Sequence, residues 1–273
     1  MTEGNRMSYD TIKYEVDGHK ATITLNRPDA LNALSPHMIT ELRTAYDIAE
    51  NDDDVWILIV TATGRAFCTG ADVTEIPGDG KVVNVRPYLS TYEQWEAPQE
   101  GTPPFRTMAK PVLAAVNGLC CGAGLDWVTT GDIVIASDKA TFFDPHVSIG
   151  LVAGREMVRL ARVLPRNIAL RMAIAGKHER MSAQRAYDLG MISEVVEHDK
   201  LLERAHEIAD MVNSNAPLAV RGTRLAIHKT LDLPLHEAEI LSETFRERVT
   251  RTEDALEGPK AFMEKRAPNW QGR

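Results

Sequence analysis

At 273 residues, 44% hydrophobic and 26% charged, the chain has the make-up of an ordinary globular protein able to bury a substantial core. A formal net charge of -8 excludes a nucleic-acid surface built on bulk positive charge, while local basic residues remain able to hold a phosphate. No apolar run reaches the ~18 residues of a membrane span, and the opening MTEGNRMSYD lacks a signal peptide's apolar stretch. A cytoplasmic location is expected.

In chain order, TIKYEV and KATITL between residues 11 and 25 read as a β-hairpin turned at Asp17-Gly18. Ser35-Pro36 opens a helix as N-cap and first-turn proline, and Met38, Ile39, Leu42, Tyr46 and Ala49 recur at helical spacing behind it. The continuous apolar run VWILIV (55–60) suits a strand covered on both faces. From Ile76 to Arg106 the pattern is irregular, with Pro77, Pro87, Pro98, Pro103 and Pro104 among exposed-looking aromatics. That stretch reads either as a surface excursion or as a lid over a pocket. PVLAAV (111–116), DIVIAS (132–137) and ATFFD (140–144) supply further strands, and the alternation of strands and helices implies an α/β fold. From about residue 154 the pattern is almost wholly helical. Ser182 caps a short helix ended by Gly190, and Ala216-Pro217 and Leu233-Pro234 break the later ones.

Two glycine-punctuated segments, TATGRAFCTGADV (61–73) and KPVLAAVNGLCCGAGLD (110–126), each follow an apolar strand. Glycine lets a backbone turn sharply and approach a ligand, and a pair of fixed backbone N–H groups is what a developing oxyanion requires. Read alone, Gly122-x-Gly124 also suggests a dinucleotide turn, but Trp127 occupies the third glycine position. Cys68, Cys120 and Cys121 all lie in these segments and read as small apolar linings. The histidines show no HExxH or other ligand spacing, and no metal site is expected.

LNRPDALNAL (25–34), AFCTGAD (66–72), KPVLAAVNG (110–118), SAQRAYDLGMISEVV (182–196) and AFMEKRAPNW (261–270) together resemble, in order, the landmarks of the crotonase (enoyl-CoA hydratase/isomerase) family. The resemblance covers nearly the whole chain. It implies a ββα spiral core over residues 1–197 and a helical C-terminal oligomerisation segment over 198–273. It also implies trimers or dimers of trimers, and an acyl-CoA thioester substrate whose CoA is part of the substrate rather than a separate cofactor. The oxyanion hole would be the backbone N–H groups of Ala71 and Ala123. The family's two catalytic glutamates correspond here to Asp126 and His146, a departure at both positions. Aspartate is shorter by a methylene, and a displacement of roughly 1 Å can cost on the order of a hundredfold. Histidine, with its ordinary pKa of about 6.5, accepts and releases a proton near neutrality. In this reading Asp126 orients the imidazole of His146, and the neighbouring Asp144 and Glu156 are further acids, Glu156 as a salt-bridged helix start. CoA would be contacted by Arg27, Leu31 and Lys265, while Thr74 stands where a phosphate-binding lysine is frequent. Trp95, Trp127 and Phe143 are candidates for shaping a bulky acyl pocket or for plain core.

These residues imply an enoyl-CoA hydratase. A hydrolase or isomerase of the same family, and a non-catalytic acyl-CoA-binding relative, remain alternatives; Gly154 stands where dienoyl isomerases place an extra acid, which disfavours that subgroup.

Overall fold

The computed structural model describes residues 9–73 and 108–273. The proposed lid at 76–106, with Trp95, and Thr74 lie outside the described residues. A hairpin of β1 (Ile12–Asp17) and β2 (Lys20–Leu25) begins the chain, with Gly18 at φ +56 in its turn. Helix α1 (Pro36–Asn51) follows, and the Ser35 hydroxyl accepts the Met38 N–H at 3.1 Å. The apolar stripe of α1 is buried along Met38, Leu42, Ala45, Tyr46 and Ala49.

Three times the chain then makes the same move. β3 (Ile57–Ala62), β5 (Val112–Val116) and β7 (Ile133–Ser137) run parallel in one sheet. Each turns a corner into β4 (Ala66–Cys68), β6 (Leu119–Cys121) and β8 (Thr141–Phe143) of a second sheet. The large sheet has the order β1-β2-β3-β5-β7-β10 and the small one β4-β6-β8-β9. β9 (Met181–Ser182) and β10 (Glu194–Val196) interrupt what was expected to be almost wholly helical sequence. Neither is long enough to show a period; each is a strand because a sheet edge was waiting for its backbone.

Helices α2 (Leu125–Thr130), α3 (Arg155–Val163), α4 (Arg166–Ala175) and α5 (Ala183–Asp188) pack around the corner, the last capped by Ser182. Helix α6 (Leu201–Asn213) lies on the chain's own large sheet, burying Leu201, Ala205 and Ala209 against Ile57, Ile59 and Leu113. Leu202 and Met211 on the same helix stay exposed, at 46 and 55%. Helices α7 (Pro217–Thr230), α8 (Leu235–Val249) and α9 (Glu253–Glu264) complete the chain. Buried Arg224 ties α7 to the body, donating to Asp132 at 2.7 Å and to the Met108 carbonyl at 2.5 Å. No helix among the described residues is long and apolar enough to cross a membrane.

Candidate active site

The two glycine segments meet backbone to backbone at the corner. A Cβ on Gly124 would sit 2.4 Å from the Cys68 carbonyl oxygen, and one on Gly118 would sit 2.2 Å from that of Arg65. Gly70, at φ +89, approaches the amide nitrogen of Ala123 so closely that a Cβ there would stand 3.1 Å from it. This φ favours glycine, and the contact leaves little room for a side chain.

Ala71 pairs with Leu34 as a parallel bridge. Leu34 N–H donates to the Gly70 carbonyl at 2.8 Å, and Asp72 N–H donates to the Leu34 carbonyl at 3.1 Å. Because amides alternate along an extended chain, the Ala71 N–H faces the side away from Leu34. Ala123 sits in the single 3-10 turn Gly122–Gly124 that leads into α2, where leading amides lack an intrahelical acceptor. The amides of Ala71 and Ala123 thus lie on adjoining loops.

His146 closes the third side. Its Cε1 is 3.8 Å from the Cβ position of Gly122, and its side chain is 23% exposed. The ring's Nδ1 lies 2.9 and 3.0 Å from the two carboxylate oxygens of Asp144, which is wholly buried. This hydrogen bond raises the pKa of His146 above 6.5, against the opposing effect of burial; Glu156 and Asp126 add smaller pulls in the same direction.

Asp126 is engaged elsewhere. Fully buried at the start of α2, it accepts from Arg159 Nη1 at 2.5 Å on one oxygen and from Arg155 Nη2 on the other. The carboxylate that holds the imidazole is therefore that of Asp144, not of Asp126 as the sequence suggested. Glu156, buried beside Arg155 at 3.5 Å, is the salt-bridged helix start expected. The arginine clamp escaped the sequence reading. REMVR places Arg155 and Arg159 one helical turn apart on one face, but only the fold sets Asp126 opposite them.

The nucleotide-side candidates are scattered. Arg27 Nη1 donates to the Ala33 carbonyl at 2.7 Å and to Asp72 at 3.0 Å, bracing the loop that carries Ala71. Leu31 and Asn32 both adopt left-handed backbone, at φ 51 and 55. Asn32, missed by the sequence reading, is wholly buried and holds that turn, accepting from Arg27 N–H and donating to the carbonyls of Thr63 and Ala66. Lys265 is an exposed left-handed residue ending α9. Trp127 is core: fully buried, it donates to the Tyr46 hydroxyl at 3.0 Å. Phe143 is buried under the Arg180 guanidinium, 4.5 Å from its ring centre. Burial pushes the Cys68 and Cys121 thiols up to about 12, so neither is a thiolate at neutral pH. Among the described residues, Asp10, His37 and Glu41 bring possible ligand atoms within 4.8 Å of one another. The Glu41 oxygens already accept the N–H groups of Asp10 and Thr11, at 2.7 and 2.8 Å, which makes the group a latch between β1 and α1.

The profile of the Enoyl-CoA hydratase/isomerase family matches residues 17–273. The chain belongs to that family. Its relatives within the family include an (E)-benzylidenesuccinyl-CoA hydratase from Thauera aromatica, 34% identical over 96% of this chain and 99% of that protein. The enoyl-CoA hydratase EchA19 of Mycobacterium tuberculosis is 35% identical over 94% of each. Among solved structures, an enoyl-CoA hydratase/isomerase from Mycobacterium paratuberculosis is 83% identical, covers 97% of this chain and 100% of that one, and superposes with a TM-score of 0.90. An enoyl-CoA hydratase from Bacillus anthracis, at 30% identity and the same coverage, superposes at 0.84. The paired sheets with three repeated corners are this family's ββα spiral, the crotonase fold.

Proposed function

We propose that the chain adds water across the double bond of an α,β-unsaturated acyl-CoA thioester. The thioester oxygen is held by the amides of Ala71 and Ala123, so negative charge arriving there in the enolate is met by donors already in place. The neutral His146 Nε2 takes a proton from water as the water oxygen bonds to Cβ, and the π electrons move onto the thioester oxygen. The imidazolium then returns that proton to Cα as the enolate collapses. One O–H bond is broken and one C–O and one C–H bond are made, with no other reactant consumed. Asp126 anchors α3 to the start of α2 and so keeps the Gly122–Gly124 turn in place.

The observation that carries this reading is the placement of the His146 ring against Gly122, on the loop whose Ala123 amide adjoins Gly70. The CoA moiety is assigned to the turn holding Arg27 and Leu31 and, in an oligomer, to Lys265 at the end of α9. Helices α7 to α9 leave Ile227, Leu235, Ile240, Leu256 and Phe262 exposed at 56, 75, 58, 75 and 85%. Burying such side chains is favourable, so they are assigned to contacts between copies in a trimer or dimer of trimers.

Incubation with crotonyl-CoA and a longer enoyl-CoA, with products resolved by mass, tests the reaction. The expected product is the intact thioester heavier by one water, formed on the order of 10²–10⁴-fold more slowly by His146→Ala. Free CoA would transfer the assignment to a hydrolase. Binding without turnover would make the chain a non-catalytic relative.

A further inference from the structure

We infer that Asp144 is the positioning residue of the site: it fixes the tautomer and orientation of His146, so that a dyad rather than a pair of independent carboxylates carries the proton. The inference rests on the hydratase reading only in taking His146 as the proton carrier.

Three observations support it. Asp144 is wholly buried, and a buried carboxylate requires partners. Its Oδ1 accepts the backbone N–H of His146 at 2.9 Å, closing an Asx-type turn across Pro145. Both carboxylate oxygens also lie within 3.0 Å of Nδ1 on the same ring. One short segment, Asp-Pro-His, thus sets both the backbone position and the ring of the proton carrier. With Nδ1 held as a donor, neutral imidazole is left with its lone pair on Nε2, on a ring whose Cε1 borders Gly122.

The surroundings make the arrangement asymmetric. Asp144, Glu156 and Asp126 all pull the imidazole towards its charged form. Asp126 carries Arg155 and Arg159 on its oxygens, and Glu156 has Arg155 at 3.5 Å. Asp144 is left as the acid whose hydrogen bond to the ring dominates the raised pKa. Protonation is thereby stabilised during the first proton transfer, and the imidazolium persists until Cα receives the proton.

Asp144→Asn is the discriminating variant, because the asparagine carbonyl can still accept the His146 backbone N–H while the charge and one acceptor are lost. An Nδ2 donor then replaces the carboxylate oxygen 3.0 Å from Nδ1, which disfavours the Nδ1–H form and favours a turned ring or a proton on Nε2, where it no longer acts as a base. Histidine-labelled protein, followed by ¹⁵N NMR against pH with the His146 signal assigned through His146→Ala, reports tautomer and titration without any ligand. In the unmodified chain the neutral ring is expected to carry its proton on Nδ1 and to titrate above 6.5. In Asp144→Asn the midpoint moves down and the Nδ1–H form is lost. With crotonyl-CoA, kcat falls on the order of a hundredfold or more, KM changes far less, the acid limb of the pH profile moves down with the NMR midpoint, and Asp144→Glu recovers part of the loss.

An Nε2–H tautomer in the unmodified chain overturns the inference, whatever the variants do. So does an unchanged His146 midpoint in Asp144→Asn, even with activity lost, since Asp144 would then only shape the turn. Full activity of His146→Ala sinks the hydratase assignment of His146 instead, and leaves the tautomer result standing separately.

Discussion

The corner of the spiral and the C-terminal helices solve the burial problem in opposite ways. At the corner, Gly118 and Gly124 press against carbonyl oxygens across the loops, and the buried carboxylates Asp126 and Asp144 each have their own cationic or ring partners. Those two carboxylates find their partners inside this chain. In α7 to α9 the anchoring is sparse. Arg224 and His228 grip Asp132, the Asp254 carboxylate accepts the N–H groups of Gln271 and Gly272, and Trp270 donates to the Ser214 carbonyl, while α8 buries no residue at all. The corner is complete as a geometry of backbone; the helices present an apolar surface that this chain alone leaves in water. A site built on backbone amides needs the first kind of construction, because a donor is useful only where its position is over-determined.

The largest break in this comparison is expected from Gly124→Ala. The new Cβ meets backbone at 2.4 Å, which cannot rotate away. Overpacking costs typically ~1–3 kcal/mol and more where backbone must shift, so loss of cooperative unfolding or a strongly lowered Tm is expected, with loss of turnover. An unchanged Tm would mean that the loops do not meet as described. Next is Asp126→Ala, which removes the buried carboxylate shared by Arg155 and Arg159, whose side chains are 21 and 13% exposed. Breaking a buried ion pair from one side costs about 3–5 kcal/mol, and partial exposure of the arginines places this variant at or below the lower end. Denaturant unfolding measures it, and a cost near zero would contradict the role of Asp126 as an anchor.

A smaller, pH-dependent effect belongs to the helical region. Burial raises the pKa of Asp132, but its bonds to His228, Arg224 and the Val112 N–H outweigh this and hold it below 3.8. A depressed carboxylate contributes stability that is present above its unfolded pKa and lost as pH falls through the folded one. Titration below pH ~4 should therefore loosen α7, and Asp132→Asn should remove that acid-side component from the stability profile. The smallest effect on the isolated fold is expected from Leu256→Ser with Phe262→Ser, since both side chains are largely exposed. Stability of the separate subunit should change by about 0.5 kcal/mol or less, while sedimentation should show a weakened assembly. An unaltered assembly would place the contact between copies elsewhere.

Much of this could be read from the chain before its fold. The Asp17-Gly18 hairpin, the Ser35-Pro36 cap, the three apolar strands and the glycine segments are local signals, fixed by turn chemistry, capping and period. His146 and the two loop alanines could be proposed from their places relative to the family landmarks. β9 and β10 were not, because two- and three-residue strands carry no period and exist only where a sheet edge offers partners. Residues 201–213 were expected to be helical, yet whether the apolar face of α6 meets its own sheet or another copy depends on where the sheet lies.

Which charges meet was decided by the tertiary structure alone. Asp126, Asp144, Arg155 and Arg159 lie within one stretch, and no spacing rule says which carboxylate holds the imidazole and which the guanidinium groups. The sequence by itself determined the residue types, the order of the longer strands and helices and the turning capacity of the glycine segments, since these depend on neighbours a few bonds away. The partner of each buried charge depends on distances of about 3 Å between elements that only folding brings together, and a buried carboxylate is held wherever the fold supplies donors.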